Sequence, residues 1–355
     1  MVDEADMALG KPAPVYQTNW RKLTAQPAEK RLRLDGPQLK RWDILQKVGA
    51  IQQLNATTET KTNSHPIKGD YPRVKVCVID AGFHPADKNR ARILAYKDFA
   101  EPEREDLVDN AERHGTNSAN LVLAVYDECE LFVARIFRTG RTDGRTEPEL
   151  MAQAIEWAIS PSQNVDIISI SAGFHTHSPR LEAAVQKASA ANKLILAAAG
   201  NQGNLGPVMF PARHSLHTIC IFATDTVSKA AGFNPESRNY AHNFAVLGEG
   251  FADPKDWRSR LSGTSLATAA ASGMAAFVVD FSRQADNRAI FRVDDVSRLA
   301  GMIAVFEAIS RPSGLFKCVA LPNLLPDSFD EGVLSREAMR DYARQTISRA
   351  MERAN

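Results

Sequence analysis

Ser265 lies in Ser262-Gly263-Thr264-Ser265-Leu266-Ala267-Thr268, followed by a run of small residues to Gly273 within an uncharged stretch that reaches position 278. A hydroxyl is a poor nucleophile unless an imidazole takes its proton and a carboxylate orients that imidazole. By itself Gly-Thr-Ser before a helix reads more readily as an ordinary N-cap, so partners elsewhere decide. Asp80 closes the apolar run Val76-Cys77-Val78-Ile79 and precedes Ala81-Gly82. It is either a turn residue or a carboxylate set at the working edge of a sheet. His114 opens a helical stretch, where the positive end of the helix dipole disfavours imidazolium unless a carboxylate stands close. Asn201 follows Ala197-Ala198-Ala199-Gly200. It is either a turn residue beside glycine or an amide aimed at a developing oxyanion, with the backbone N–H of Ser265 as second donor.

The elements that would position these residues alternate along the chain from Tyr71 onward. Strands are expected at Val74–Ile79, Leu131–Phe137, Val165–Ile170, Leu194–Ala199, Thr218–Ala223 and Phe244–Leu247. Helices are expected over 116–125, 147–159, 179–191 and 265–283. Several strands are apolar at nearly every residue, as when both faces of a sheet are covered. That pattern gives an α/β fold of three layers, α/β/α, with a mostly parallel sheet whose sites form at the carboxyl ends of its strands. The apolar helix beginning at Ser265 is expected to run through the middle of the domain.

Composition narrows the function. With 43 basic and 42 acidic residues among 355, the chain offers no bulk electrostatic attraction to nucleic acid or membrane. Cys77, Cys129, Cys220 and Cys318 are scattered without a C-x-x-C pair, so no zinc or redox site is expected. The start, MVDEADMALGKPAP, is acidic and lacks an apolar h-region, and no uninterrupted run of about 18 apolar residues follows. A cytoplasmic protein without a membrane span is expected. Three regions follow: an N-terminal extension over 1–70 with short helices and a polar linker, a domain over 71–325 that holds the candidate catalytic residues, and a C-terminal helical tail over 326–355.

In the order Asp80, His114, Asn201, Ser265, with V-I-D-A-G, H-G-T, A-A-A-G-N-Q-G and S-G-T-S-L-A-T around them, the chain resembles the subtilisin-like serine proteases over roughly 72–283. The resemblance implies a catalytic triad of Asp80, His114 and Ser265, with Asn201 and the Ser265 amide as the oxyanion hole. It further implies that Ser171, Ala172 and Gly173 form the substrate-binding strand. Ala198, Ala199 and Gly200 would wall the specificity pocket, and Met209 either fills its floor or is ordinary core packing. No metal or organic cofactor is implied. Where many relatives have a second histidine and Pro-His, this chain has Asn117 and Ala269-Ala270. The passage from Ala124 to Glu130 leaves no room for the calcium loop of secreted members, and the pattern looks like a fungal, intracellular branch.

The expected activity is endopeptidase cleavage of protein or peptide substrates bound in extended form, falling as pH drops through the imidazole range. A regulatory partner acting through the terminal extensions, and a setting in fungal cell death or allorecognition, accompany that branch. The rival reading is a pseudoenzyme of the same fold that binds extended peptides without cutting them. A nucleotide-binding protein is disfavoured, since neither G-x-G-x-x-G nor G-x-x-x-x-G-K-[ST] stands at a strand-to-helix turn.

Overall fold

The computed structural model describes residues 71–138, 145–256, 258–325 and 335–354. The N-terminal extension expected over 1–70 lies outside the described residues. Strands β1 (Lys75–Asp80), β2 (Ile93–Asp98), β3 (Glu130–Arg135), β4 (Ile167–Ile170), β5 (Leu194–Ala198), β6 (Ile219–Thr224) and β7 (Phe244–Leu247) form a parallel array. A short antiparallel pair, β8 (Phe251–Ala252) and β9 (Arg260–Leu261), stands apart. The hairpin β10 (Ser310–Ser313) and β11 (Phe316–Val319) extends the main sheet beside β7, giving the order β10-β11-β7-β6-β5-β4-β1-β3-β2.

Alternate residues of each strand enter opposite cores. Val76, Val78, Leu131 and Val133 pack on one side, Cys77, Ile79, Phe132 and Ala134 on the other. This two-residue period, buried on both faces, is why the strands read as continuous apolar runs. Helices α1 (His114–Val125) and α4 (Thr264–Arg283) cover the first face; α2 (Glu147–Ala158) and α3 (Pro179–Ala190) cover the second. The three-layer α/β/α architecture is therefore present.

Helix α4 is buried along almost its whole length. Among the described residues it alone is long and apolar enough to cross a membrane, yet 94% of its apolar window is buried inside the fold. Its small residues permit that depth: a Cβ on Gly273 would lie 2.7 Å from Val125 Cβ and 2.9 Å from the Val122 carbonyl of α1.

Helices α5 (Leu299–Ala308) and α6 (Arg336–Arg353) complete the same core. Met339, Ala343, Ile347 and Met351 of α6 pack there, so the helix that falls within the expected C-terminal tail packs on the core of the sheet. Arg340, buried on α6, donates to Gln284 Oε1 at 2.9 Å and Asp286 Oδ2 at 2.7 Å, with its guanidinium 5.0 Å from the Phe281 ring centre. All four cysteines are buried and unbridged.

Candidate active site

Asp80 is the last residue of β1, and His114 the first of α1. Asp80 Oδ1 stands 2.6 Å from His114 Nδ1 and also accepts the Ala81 N–H at 2.6 Å. Asp80 Oδ2 is buried and accepts no hydrogen bond among the described residues. With Nδ1 as donor, His114 Nε2 is left unprotonated in the neutral ring, the tautomer a general base requires. The Asp80 carboxylate pushes the His114 imidazole up to about 9, against the opposing effect of burial, with Asp109 and Glu112 adding in the same direction. The attraction of Asp80 thus outweighs the effect of burial.

Close backbone contact makes this pairing possible. A Cβ on Gly115 would fall 2.1 Å from the Gly82 carbonyl oxygen, and one on Gly82, at φ +112°, 1.8 Å from that of Val108. Only glycine lets the helix start lie directly on the strand end. Asn117 donates through Nδ2 to the Glu112 carbonyl at 3.4 Å, so the residue standing where relatives have a second histidine serves the same turn. α1 ends at Val125 and β3 begins at Glu130, the direct passage expected from the sequence.

Ser265 occupies the first turn of α4. Its hydroxyl donates to the Ser171 carbonyl at 3.0 Å, while Ser171 Oγ donates to the Ser265 carbonyl at 3.4 Å. Among the described residues there is no hydrogen bond between Ser265 and His114. The expected contact from ring to alcohol is therefore not made: a neutral hydroxyl takes the nearest strong acceptor, here a backbone carbonyl. Catalytic hydrogen bonds are often loose without substrate and tighten in its complex.

Asn201 follows the end of β5, and its Oδ1 accepts from Thr264 N at 2.8 Å and from Thr264 Oγ1 at 3.0 Å. The Thr264 hydroxyl in turn accepts the Gly200 N–H at 3.2 Å. These contacts fix which way the amide faces and leave Nδ2 on the side of Gly263, 3.3 Å from the position of an added Cβ. Thr264 is a residue the sequence reading passed over. Its only signal was a hydroxyl one position before the serine, indistinguishable from a helix cap.

Ser171, Ala172 and Gly173 follow β4, and Phe174 pairs with Phe210 as an antiparallel bridge. Met209 N donates to Ala199 O at 2.9 Å. The Met209 side chain lies between two glycines: an added Cβ would come within 2.6 Å of Met209 Cβ at Gly173 and 3.3 Å of Met209 Cγ at Gly200. Ala198 and Ala199 are buried beside them.

The profile of the subtilase family matches residues 72–299. Subtilisin-like protease het-Q2 of Podospora anserina is 26% identical over 317 residues, covering 73% of this chain and 85% of its own length. The major intracellular serine protease of Bacillus subtilis is 28% identical over 235 residues, covering 61% and 71%. Among solved structures, the prenylagaramide maturation protease PagA superposes with a TM-score of 0.54 at 19% identity, over 88% of this chain and 99% of that one.

Proposed function

The chain belongs to the subtilase family of serine endopeptidases, and on that premise we propose that Asp80, His114 and Ser265 are its catalytic triad. A peptide in extended form lies against 171–173. Ser265 Oγ attacks the scissile carbonyl as His114 Nε2 takes its proton, and Asp80 stabilises the imidazolium. The oxyanion is met by Asn201 Nδ2 and the Ser265 N–H, at the positive end of α4. His114 returns the proton to the leaving amine, then activates the water that cleaves the acyl-enzyme. The observation that carries this reading is the 2.6 Å contact of Asp80 with His114 Nδ1, which leaves Nε2 as the free base.

The test is a fluorophosphonate probe on the full chain. Labelling in the wild type that is lost in Ser265→Ala, together with loss of peptide turnover by about 10⁴–10⁶-fold, is the expected outcome. Turnover at the wild-type level in Ser265→Ala would sink the nucleophile assignment.

One observation favours the second reading, a binding protein that does not cut: the Ser265 hydroxyl donates to Ser171 and not to His114. A wild type that binds extended peptides and never labels would establish it.

Met209 between Gly173 and Gly200 supports a shallow specificity pocket for small or medium apolar side chains. Met209→Gly is expected to widen peptide-library preference towards larger apolar residues; a wild-type profile dominated by Lys or Arg would reject the pocket. The names of the relatives, one fungal and one intracellular, support a regulated cytosolic protease of the fungal branch, with selective cleavage of a partner in cell death or allorecognition as its setting.

A further inference from the structure

The first N–H groups of a helix have no partner within it, and a side chain at the N-cap ordinarily accepts them. In α1 the N-cap is Arg113, in the left-handed region at φ 55°, and it makes no side-chain cap. The work is done from further back. His114 N–H donates to Asn110 Oδ1 at 2.9 Å, Gly115 N–H to Asp109 Oδ1 at 3.3 Å and Thr116 N–H to Asp109 Oδ2 at 2.7 Å. The Thr116 hydroxyl donates to the same Asp109 Oδ2 and accepts the His84 N–H at 2.8 Å. Two neighbouring side chains, four and five residues before the histidine, thus gather the donors of the helix start.

The ring itself is held less fully. Asp80 reaches His114 through Oδ1 alone, that oxygen is shared with Ala81 N–H, and Oδ2 has no hydrogen-bond partner among the described residues. One contact at Nδ1 does not by itself fix the ring, so the placing of the imidazole also depends on the backbone from which it grows. We propose that Asp109, seconded by Asn110, is a positioning residue for His114, fixing the helix start and adding a second carboxylate to the field around the ring.

The charged groups near the imidazole are Asp80 from β1, and Asp109 and Glu112 from the loop before α1. The neighbouring Arg113 directs Nη2 to His84 Nε2 at 3.3 Å. Asp109 is itself held above the usual carboxylate range, by burial first and by the charge of Asp80 among the lesser causes. Removing its charge lowers the basicity of the ring, because an anion that favours imidazolium is lost.

This rests on His114 being the base, and the experiment separates the two claims. Asp109→Asn, Asp109→Ala and Asn110→Ala are assayed in the full chain for peptide hydrolysis from pH 5 to 10, with active sites counted by fluorophosphonate. Asp109→Asn is expected to lower kcat per active site about tenfold with KM unchanged, and to move the kinetic pKa downward. Asp109→Ala is expected to lose about 10²-fold, as a small misplacement of a catalytic group can cost. Asn110→Ala, which removes no charge, is expected to lower kcat without moving the kinetic pKa. Unchanged kcat per site and unchanged kinetic pKa in Asp109→Asn overturn the proposal; fewer active sites of wild-type quality likewise reduce Asp109 to a folding role. Should Asp109→Ala fail to fold, the pH profile of Asp109→Asn decides alone. Wild-type turnover in His114→Ala would instead refute the base.

Discussion

Asp80 and His114 are joined by a 2.6 Å contact that needs no substrate, whereas Ser265 turns its hydroxyl to the Ser171 carbonyl. The first half of the site is assembled by charge: a buried carboxylate next to an imidazole gains most from pairing and has little water to compete for it. The second half is assembled by backbone, with Thr264 setting the Asn201 amide and the α4 start presenting the Ser265 N–H. A neutral hydroxyl carries no comparable preference, so it takes the carbonyl at hand. The charged pair is already joined, while the neutral hydroxyl is turned elsewhere.

Breaking the charged half has the largest expected effect on this contrast. Asp80→Asn should lower kcat by about 10⁴-fold, as the ring loses its tautomer and its counter-charge. With His114 at about 9, wild-type kcat/KM should climb from pH 6 to about 9, and Asp80→Asn should bring the midpoint down towards the ordinary imidazole value. The sign for stability is opposite to that for activity. A histidine raised on folding contributes stability in full below its unfolded value of about 6.5 and loses it as pH rises through about 9. Melts across that window in wild type and Asp80→Asn measure the difference; a wild-type activity plateau already reached by pH 7 would show that the pair is weaker than its geometry.

Asn201→Ala tests the neutral half. Losing one oxyanion donor should lower kcat by about 10²–10³-fold with KM little changed. A rise in KM with kcat intact would mean that Asn201 binds ground-state substrate instead. The smallest effect is on folding. Gly273→Ala adds a methyl where α1 and α4 touch, and should cost about 1–3 kcal/mol by denaturant melt, despite the better helix propensity of alanine.

Asp80, His114, Asn201 and Ser265 were legible because each stands where an apolar run meets a glycine or a helix start, and such signals are local. β5 and β6 were legible within a residue or so at their ends, since both faces are buried. β2 was not: it is an edge strand with Leu94 and Lys97 exposed and a register shift between Ile93 and Ala95, which together blur the pattern. The hairpin β10–β11 contains Pro312, a residue found at sheet edges, and reads as loop. α5 is apolar on most sides and has no stripe to announce it. Asp109 and Asn110 escaped because a cap is sought next to the helix, and the αL turn at Arg113 displaces it by several residues. The choice of Ser171 as acceptor for Ser265 depends on strands far apart in sequence, and no local pattern encodes it.

At Gly273 the two helices come too close to admit a side chain. Ser265 lies eight residues before Gly273, and His114 eight before Val122, so each proposed catalytic residue stands about 12 Å along its helix from that close approach. A tilt of about 5° there displaces either end by about 1 Å, on the scale at which a misplaced group can cost about 10²-fold in rate. A substitution that tilted the shafts at that joint would act on turnover from across the domain, without touching a residue proposed to meet the substrate.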